Sequence, residues 1–533
     1  MKQNDVVQIR VVRPSTAGKR FSSAKECAPE ISLAAEFLTS CKQHRERIAI
    51  IDGKRELKYD WLLRQASLIA SHLLQHADYQ PGMHVGLLLK NSPAYMASYY
   101  GALCAGAVVV PMPMNQPVQQ QTRLCELADI ELVIEHPSQP SETGQGILKL
   151  NCLKFEEPEL VPAGADQLAM MLFTSGSSGK PKAVMLSHRN LLSNARSIQQ
   201  YLPIDESDRT LAITPFAHAL GNSVLQTHVL SGAAMVFGGP TMFPQMLIDE
   251  LASNQCTCLI GVPELMQSLS RGLSTKKPDL SDLKYLAVAG GRLDPVSARE
   301  LASKVSPAQL YLMYGQTEAT ARLAYLPPDQ LATNAHTIGK AIPGVELCVR
   351  DDSGEPSSPG NIGTLHARGD NIMLGYYNDP ETTVQTVVDG WLNTGDLAES
   401  TTDGLFQIHG RTSGLIKTQG YRFHPIEVED LLADELPQLQ LIATPLKFFG
   451  ATRVALFARQ AADNHCTIQQ IQDVCRRTLP RHMLPQRIEL VQSWPLNGAH
   501  KIDRRHLQSE LESRLLTIDA DEAHHENLLC GET

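Results

Sequence analysis

The chain has no long apolar run: stretches such as Gly101 to Met112 are too short to cross a bilayer. Charges in Met1 to Arg20 are not followed by an apolar core, so no secretory leader is read there. Lys and Arg form no block, and the formal net charge is −10, which speaks against a nucleic-acid partner. Eleven cysteines are scattered, and only Cys256-Thr-Cys258 is closely spaced. With no second pair to match it, a cysteine metal site is not expected. His524-His525 is likewise too isolated to be one. These absences describe a cytoplasmic protein without a transmembrane segment, its thiols reduced and mostly buried.

What remains is ordinary globular composition, 43% hydrophobic and 20% charged, over 533 residues, enough for more than one domain. Residues 1–30 are polar and read as irregular. From residue 31 helices alternate with apolar strands: a helical pattern over Trp61 to Leu74, a strand over His84 to Leu89, a small-residue helix over Tyr95 to Ala105, a strand over Ala107 to Met112. The alternation recurs at Leu211 to Ile213, Ala233 to Phe237, Cys258 to Gly261 and Leu286 to Ala289, predicting two α/β halves with parallel sheets. After about Ile338, Gly, Pro and short alternating segments (Leu347 to Arg350, Gly363 to Arg368) predict a small β unit. The large N-terminal domain is read as 31–409, a hinge as 410–414, and a mobile α+β domain as 415–515. Residues 516–533 read as an acidic disordered tail.

Met170 to Phe173 is an apolar strand followed by Thr174-Ser-Gly-Ser-Ser-Gly-Lys-Pro-Lys182. Glycines allow close backbone approach, consecutive N–H groups form an anion nest, and hydroxyls and lysines add donors and charge, a chemistry suited to polyphosphate. It is not a Walker loop, because Lys180 is followed by Pro181 instead of Ser or Thr. A plain solvated turn has the same composition, so the loop alone decides nothing. Downstream stand Tyr314-Gly-Gln-Thr-Glu318, Gly390-Trp-Leu-Asn-Thr-Gly-Asp396, Gly410-Arg411, Leu415-Ile-Lys-Thr-Gln-Gly-Tyr-Arg422 and Asn497-Gly-Ala-His-Lys501-Ile-Asp-Arg504. A ring that can stack on a base, a carboxylate that can hold Mg²⁺ against phosphate and an Asp after a Gly turn, placed to accept from a ribose diol, form a coherent set.

In order and spacing these motifs resemble the adenylate-forming superfamily, which includes acyl- and aryl-CoA synthetases, peptide-synthetase adenylation domains and luciferases, over about Leu33 to Leu507. The resemblance implies ATP and Mg²⁺ as cofactors. A carboxylic acid is activated to an acyl-adenylate with release of pyrophosphate, then passed to a thiol. It implies that Thr174, Ser175, Gly176, Ser177, Ser178, Gly179 and Lys182 cradle the triphosphate. Gly290 and Gly291 would pack along adenine, with Tyr314 stacked on the base. Gly315, Gln316 and Thr317 complete that motif, and Glu318 is the metal ligand. Asp396 and Arg411 are assigned to the ribose, and Lys501 to bridging the carboxylate and the α-phosphate. Lys501, Glu318 and Thr174 are the implied catalytic residues. Two anions must meet and charge builds on phosphorus oxygens, so a fixed cation and Mg²⁺ are what the step requires. Ser413, Lys417, Gly420, Tyr421 and Arg422 correspond to the hinge and thiol tunnel.

The chain departs from the family in having Ala183 for Gly, Ser413 at the hinge, and two extra residues before Lys501, which leave His500 as a fallback cation. In Thr214-Pro-Phe-Ala-His-Ala-Leu-Gly221, His218 takes the place bordering the carboxylate, with Gly221 beside it. No Asp between Ile213 and Gln226 is available for an ammonium, so a fatty or aryl acid is expected in preference to an α-amino acid. The acceptor reads as CoA or the phosphopantetheine of a separate acyl carrier protein, and a binding protein without catalysis is a further alternative. Lys501→Ala is expected to abolish adenylation while thiol transfer from preformed adenylate survives. Unimpaired ATP–pyrophosphate exchange in the variant would remove Lys501 from its role.

Overall fold

The computed structural model describes residues 6–12, 32–114, 116–137, 145–149, 160–175, 181–239, 243–275, 278–411, 416–418, 421–433, 435–448, 451–460, 466–496 and 502–515. Two compact units emerge. One comprises Met1–Cys348, His366–Thr394 and Asp403–Phe406. The other comprises Val349–Leu365, Gly395–Thr402 and Gln407–Thr533.

The first unit is built on two sheets. The eight-stranded sheet runs in the order Gly375–Tyr376, Pro181–Ser187, Leu168–Ser175, Val108–Pro111, His84–Leu88, Leu132–Glu135, Val6–Val11, Gln145–Lys149. Its inner pairs are parallel, as the helix–strand alternation predicts, whereas Pro181–Ser187 and Gly375–Tyr376 add antiparallel at one edge. Val108–Pro111 is buried at every position, which is why it reads as a continuous apolar run. The nine-stranded sheet has a parallel centre from Gln309–Tyr314 through Tyr285–Val288, Cys258–Gly261, Arg209–Leu211 and Ala234–Phe237 to Ile48–Asp52. Ala324–Leu326 folds back antiparallel on Gln309–Tyr314.

Helix Pro93–Cys104 starts on the Ser92 hydroxyl, with proline at its first turn, and is buried all round. Gly101 permits its approach to helix Tyr59–Gln75, since a Cβ there would lie 2.6 Å from the Ala66 carbonyl. Helix His188–Tyr201 follows the phosphate-like segment directly. Ser187 caps it, and the Asn190 side chain returns a reciprocal bond.

One expectation is corrected. Residues 6–11 are not irregular: Val6–Val11 is a strand paired with both Leu132–Glu135 and Gln145–Lys149. Val7 and Ile9 are fully buried. The buried Glu135 accepts from Gln8 Nε2 at 2.9 Å and from Arg10 Nε and Nη2 at 3.0 Å each. That partner lies 125 residues away from Arg10, so the polar positions of this short strand are satisfied only by the tertiary fold.

Within the second unit, Leu439–Phe448 and Ala451–Gln460 form an antiparallel pair, with Arg487–Val491 parallel to the latter. Helices Pro425–Ala433 and Ile468–Thr478 contribute Val428, Leu432, Ile471 and Val474 to its core. Ile416–Thr418 and Tyr421–Phe423 pair as a short hairpin.

Of the eight described cysteines six are buried, and burial raises the Cys104, Cys256 and Cys258 thiols to about 12. No helix among the described residues is long and apolar enough to cross a membrane.

Two buried histidines set a pH limit. His188 Nδ1 accepts the Leu33 N–H at 3.2 Å, and burial lowers its pKa to about 4. His228, in helix Ala219–Leu230, is lowered by burial to about 4 as well. Between about pH 6.5 and 4 the unfolded chain binds protons that the folded chain refuses, so stability is full above the ordinary histidine pKa and falls as pH drops. Urea midpoints measured from pH 7.5 down to 5 are expected to fall, and His188→Asn, which keeps an acceptor, is expected to flatten the decline. An equally steep decline in the variant would acquit His188.

Candidate functional site

The segment 176–180 lies outside the described residues, but both of its flanks are placed. Leu168–Ser175 and Pro181–Ser187 are antiparallel neighbours, with Thr174 opposite Lys182. Pro181 opens a strand and no helix, consistent with a loop that departs from the Walker pattern. Lys182 Nζ lies 3.1 Å from Asp379 Oδ2, donates to Thr382 Oγ1 at 2.9 Å and sits 4.7 Å from the Tyr376 ring centroid. Asp379 caps helix Pro380–Thr386 by accepting the Thr382 N–H. That capping, with the Lys182 charge, holds its carboxyl below the usual range.

The Tyr376 hydroxyl donates to Glu318 Oε1 at 3.0 Å. Burial first, and Glu318 second, raise the Tyr376 pKa, so it remains a neutral donor. Tyr376 is itself held: its N–H donates to Thr383 Oγ1 at 2.9 Å, and it pairs in register with Val184. Gly375 (φ 140) must lack a side chain there, because a Cβ would meet Thr383 Cγ2 at 2.6 Å. Lys182, Tyr376 and Glu318 thus form a line of cation, aromatic hydroxyl and carboxylate.

Glu318 lies in the single turn Thr317–Ala319, just beyond strand Gln309–Tyr314. Gly315 is required there, since a Cβ would fall 1.9 Å from the Ala321 carbonyl. Tyr314 is half-buried at the end of its strand. Gln316 Nε2 is buried and has no partner among the described residues. Gly290 (φ 86) and Gly291 follow strand Tyr285–Val288, and a Cβ on Gly291 would press on Pro263.

His218 is the residue before helix Ala219–Leu230, with an extended backbone. The loop that carries it is pinned by Asn91: Nδ2 donates to the Ala212 and Thr214 carbonyls at 2.9 and 2.8 Å, and Oδ1 accepts the Phe216 N–H at 2.9 Å. Gly221 has a packing reason, because a Cβ would lie 2.2 Å from the Pro215 carbonyl.

In the second unit, Asp396 is buried and pairs with Arg411, Nε to Oδ1 at 2.8 Å. Asp396 sits inside strand Trp391–Ser400, not after a turn. The left-handed Gly395 (φ 72) precedes it within the strand. Gly410 backs onto buried His424, where a Cβ would come within 2.3 Å of the ring. Ser413 and Gly420 lie outside the described residues, and Lys417, Tyr421 and Arg422 are placed by their backbone in the short hairpin. Lys501 and His500 also lie outside them. Their flanks are joined by the Leu496–Ile502 bridge, and Arg504 forms a two-pronged pair with Glu429, Nη2 to Oε2 at 2.9 Å.

Sequence reasoning missed Tyr376, Asp379 and Thr382. Asp379 followed by Pro380 is a helix-start signature that could have marked the cap. The Tyr376 role depends on a strand pairing that no local pattern announces.

The comparisons with known proteins agree with this geometry. The family described as "AMP-binding enzyme" matches residues 37–377. Feruloyl-CoA synthase of Amycolatopsis sp is 28% identical over 469 residues, covering 85% of this chain and 94% of that protein. A mycosubtilin synthase of Bacillus subtilis is 27% identical over 522 residues, covering 92% of this chain, which spans only 20% of that protein's length. The crystal structure of ATP-bound MatB from Rhodopseudomonas palustris has the same fold, with a TM-score of 0.79 at 22% identity over 90% of this chain and 99% of that one. With a family match over more than half its length, the chain belongs to the AMP-binding enzymes, the adenylate-forming superfamily of which acyl-CoA synthetases are part.

Proposed function

We propose that the chain is an AMP-forming acid–thiol ligase: it activates a carboxylic acid with ATP and transfers the acyl group to a thiol, CoA in the first instance. The observation that carries this reading is the line Lys182–Tyr376–Glu318 beside the flanks of segment 176–180. A triphosphate needs a cation near its terminal oxygens and a carboxylate that presents a divalent ion to them. Lys182 would exchange its contact with Asp379 for the phosphates, and Thr174 lies opposite it on the neighbouring strand. The unpaired Gln316 amide is a buried donor available to the nucleotide.

Glu318 fits a magnesium ion. One of its oxygens is fixed by Tyr376, and among the described residues nothing occupies the other. No group of three or more His, Cys, Asp or Glu among those residues could hold a metal by itself, which suits an ion bound by one carboxylate, phosphates and water. When bound, Mg²⁺ supplies charge neutralisation at the phosphates.

His218 is assigned to the acid's carboxylate and Asp396 with Arg411 to the ribose. Lys501 is assigned to the meeting point of carboxylate oxygen and α-phosphorus, where new negative charge develops. Pyrophosphate then leaves, and the segment containing Lys417, Tyr421 and Arg422 serves the thiol that takes the acyl group and releases AMP. The matched length of feruloyl-CoA synthase favours CoA as acceptor. The likeness to mycosubtilin synthase, a far longer protein of which this chain spans 20%, keeps a separate carrier-bound phosphopantetheine as the second reading.

ATP–pyrophosphate exchange over a panel of aryl, fatty, short-chain and amino acids is expected to respond to one class of non-amino acid, and silence across the panel would sink the ligase reading. Tyr376→Phe removes only the hydroxyl on Glu318. It is expected to weaken the apparent Mg²⁺ affinity of the exchange reaction by about 10–100-fold. An unchanged Mg²⁺ titration would mean that Tyr376 does not act through Glu318.

A further inference from the structure

Arg322 is an anomaly in charge placement. It lies four residues beyond Glu318 and is only 3% exposed. Its Nε points at Met313 Sδ, 3.4 Å away, and its other polar neighbour is the Tyr201 hydroxyl. Among the described residues no carboxylate pairs with it. Tyr201 does not cancel the charge: burial raises its pKa, so it stays neutral, and its hydroxyl also reaches Met313 Sδ at 3.2 Å. Burial pulls the guanidinium pKa down, the direction expected for a cation without a counter-ion. A buried unpaired charge is among the costliest arrangements in a protein interior, and arginine resists escape by losing its proton.

The side chain is also held in place. The Arg322 carbonyl accepts from Asn194 Nδ2 and Asn371 Nδ2, both at 3.0 Å. Its Cα lies against Gly315, where a Cβ would be 2.7 Å from it, and Leu323 N–H bonds to the Tyr314 carbonyl at 2.8 Å. Arg322 is therefore anchored to the segment that carries Tyr314 and Glu318. Met313 and Tyr314 are consecutive in a strand, so their side chains leave on opposite faces. The guanidinium joins the Met313 face, away from the ring assigned to the base. Met313 shares its apolar cluster with Ala287, Ala289 and Phe216, the last of which adjoins the His218 loop.

We propose that Arg322 receives a second carboxylate on the acid being activated, so that the substrate is a dicarboxylic acid and not a plain fatty or aryl monoacid. The inference rests on the adenylating-ligase reading and refines its substrate. A guanidinium pairs with a carboxylate through two parallel hydrogen bonds, and such a site rejects an analogue that leaves its donors unpaired. The same charge repels an α-ammonium, in keeping with the missing Asp between Ile213 and Gln226.

The test is ATP–pyrophosphate exchange on the purified full chain with matched pairs. Straight-chain dicarboxylic acids of increasing length, and terephthalic acid, are each set against the monoacid in which a methyl group replaces the distal carboxyl. The expected result is a kcat/KM at least about 100-fold higher for one diacid than for its partner. Arg322→Met is expected to lose that preference while keeping Tm at or above the parent value, because an uncompensated charge has been removed. Equal or better use of monoacids by the parent enzyme overturns the inference and leaves adenylation standing. A diacid preference retained in Arg322→Met overturns the assignment to Arg322. Silence with every acid overturns both readings. Should Arg322→Met not fold, the parent protein alone decides: with ATP present, the preferred diacid raises Tm and its methyl-ended partner does not, and equal shifts overturn the proposal.

Discussion

The hydrogen bond from Tyr376 to Glu318 spans 58 residues of sequence, and much of the site's arrangement depends on it. A half-buried carboxylate is costly unless hydrogen-bonded, and the tyrosine hydroxyl supplies that bond without adding charge. The same ring faces Lys182, so one side chain holds the anion and attracts the cation. Tyr376 keeps its position because it pairs with Val184, two residues beyond Lys182 on the adjoining strand. A slip of one residue in that pairing would turn the ring to the opposite face and separate the two charges. The register of a two-residue edge strand thus sets the electrostatics of the site.

Much of the architecture is legible in the sequence because it is local. The run Ala107 to Met112 reads as a buried strand, and Val108–Pro111 is one. His188 reads as a helix-start residue, and helix His188–Tyr201 begins there. What escapes a one-dimensional reading depends on distant partners. Val6–Val11 forms a strand because Glu135 satisfies Gln8 and Arg10, and a six-residue alternation containing charge does not reveal this. Asp396 follows a glycine, which suggests a turn, yet Gly395 takes its positive φ inside a strand. Arg322 looks like any surface arginine until its burial is seen.

Strand Gln309–Tyr314 shows how one element serves two kinds of chemistry. Successive residues point to opposite faces, so Tyr314 and Met313 divide the space between them. Gly315 then lets the returning chain approach so closely that no side chain fits, which brings Glu318 back towards Tyr376 and anchors Arg322 behind the strand. The sites for nucleotide and acid therefore share a wall one strand thick. A substitution meant to reshape one side of that wall will be felt on the other.

The buried cysteines have a consequence for an enzyme whose second substrate is a thiol. Mixed disulfides form when a thiolate attacks, and the rate follows the fraction ionised and its accessibility. Cys104, Cys256 and Cys258 are buried, with their thiols raised to about 12, so almost none is ionised near neutrality. Stocks of a thiol acceptor that have partly oxidised to disulfides will not cap these side chains. These residues keep the acyl-accepting chemistry chemically separate from the protein that performs it.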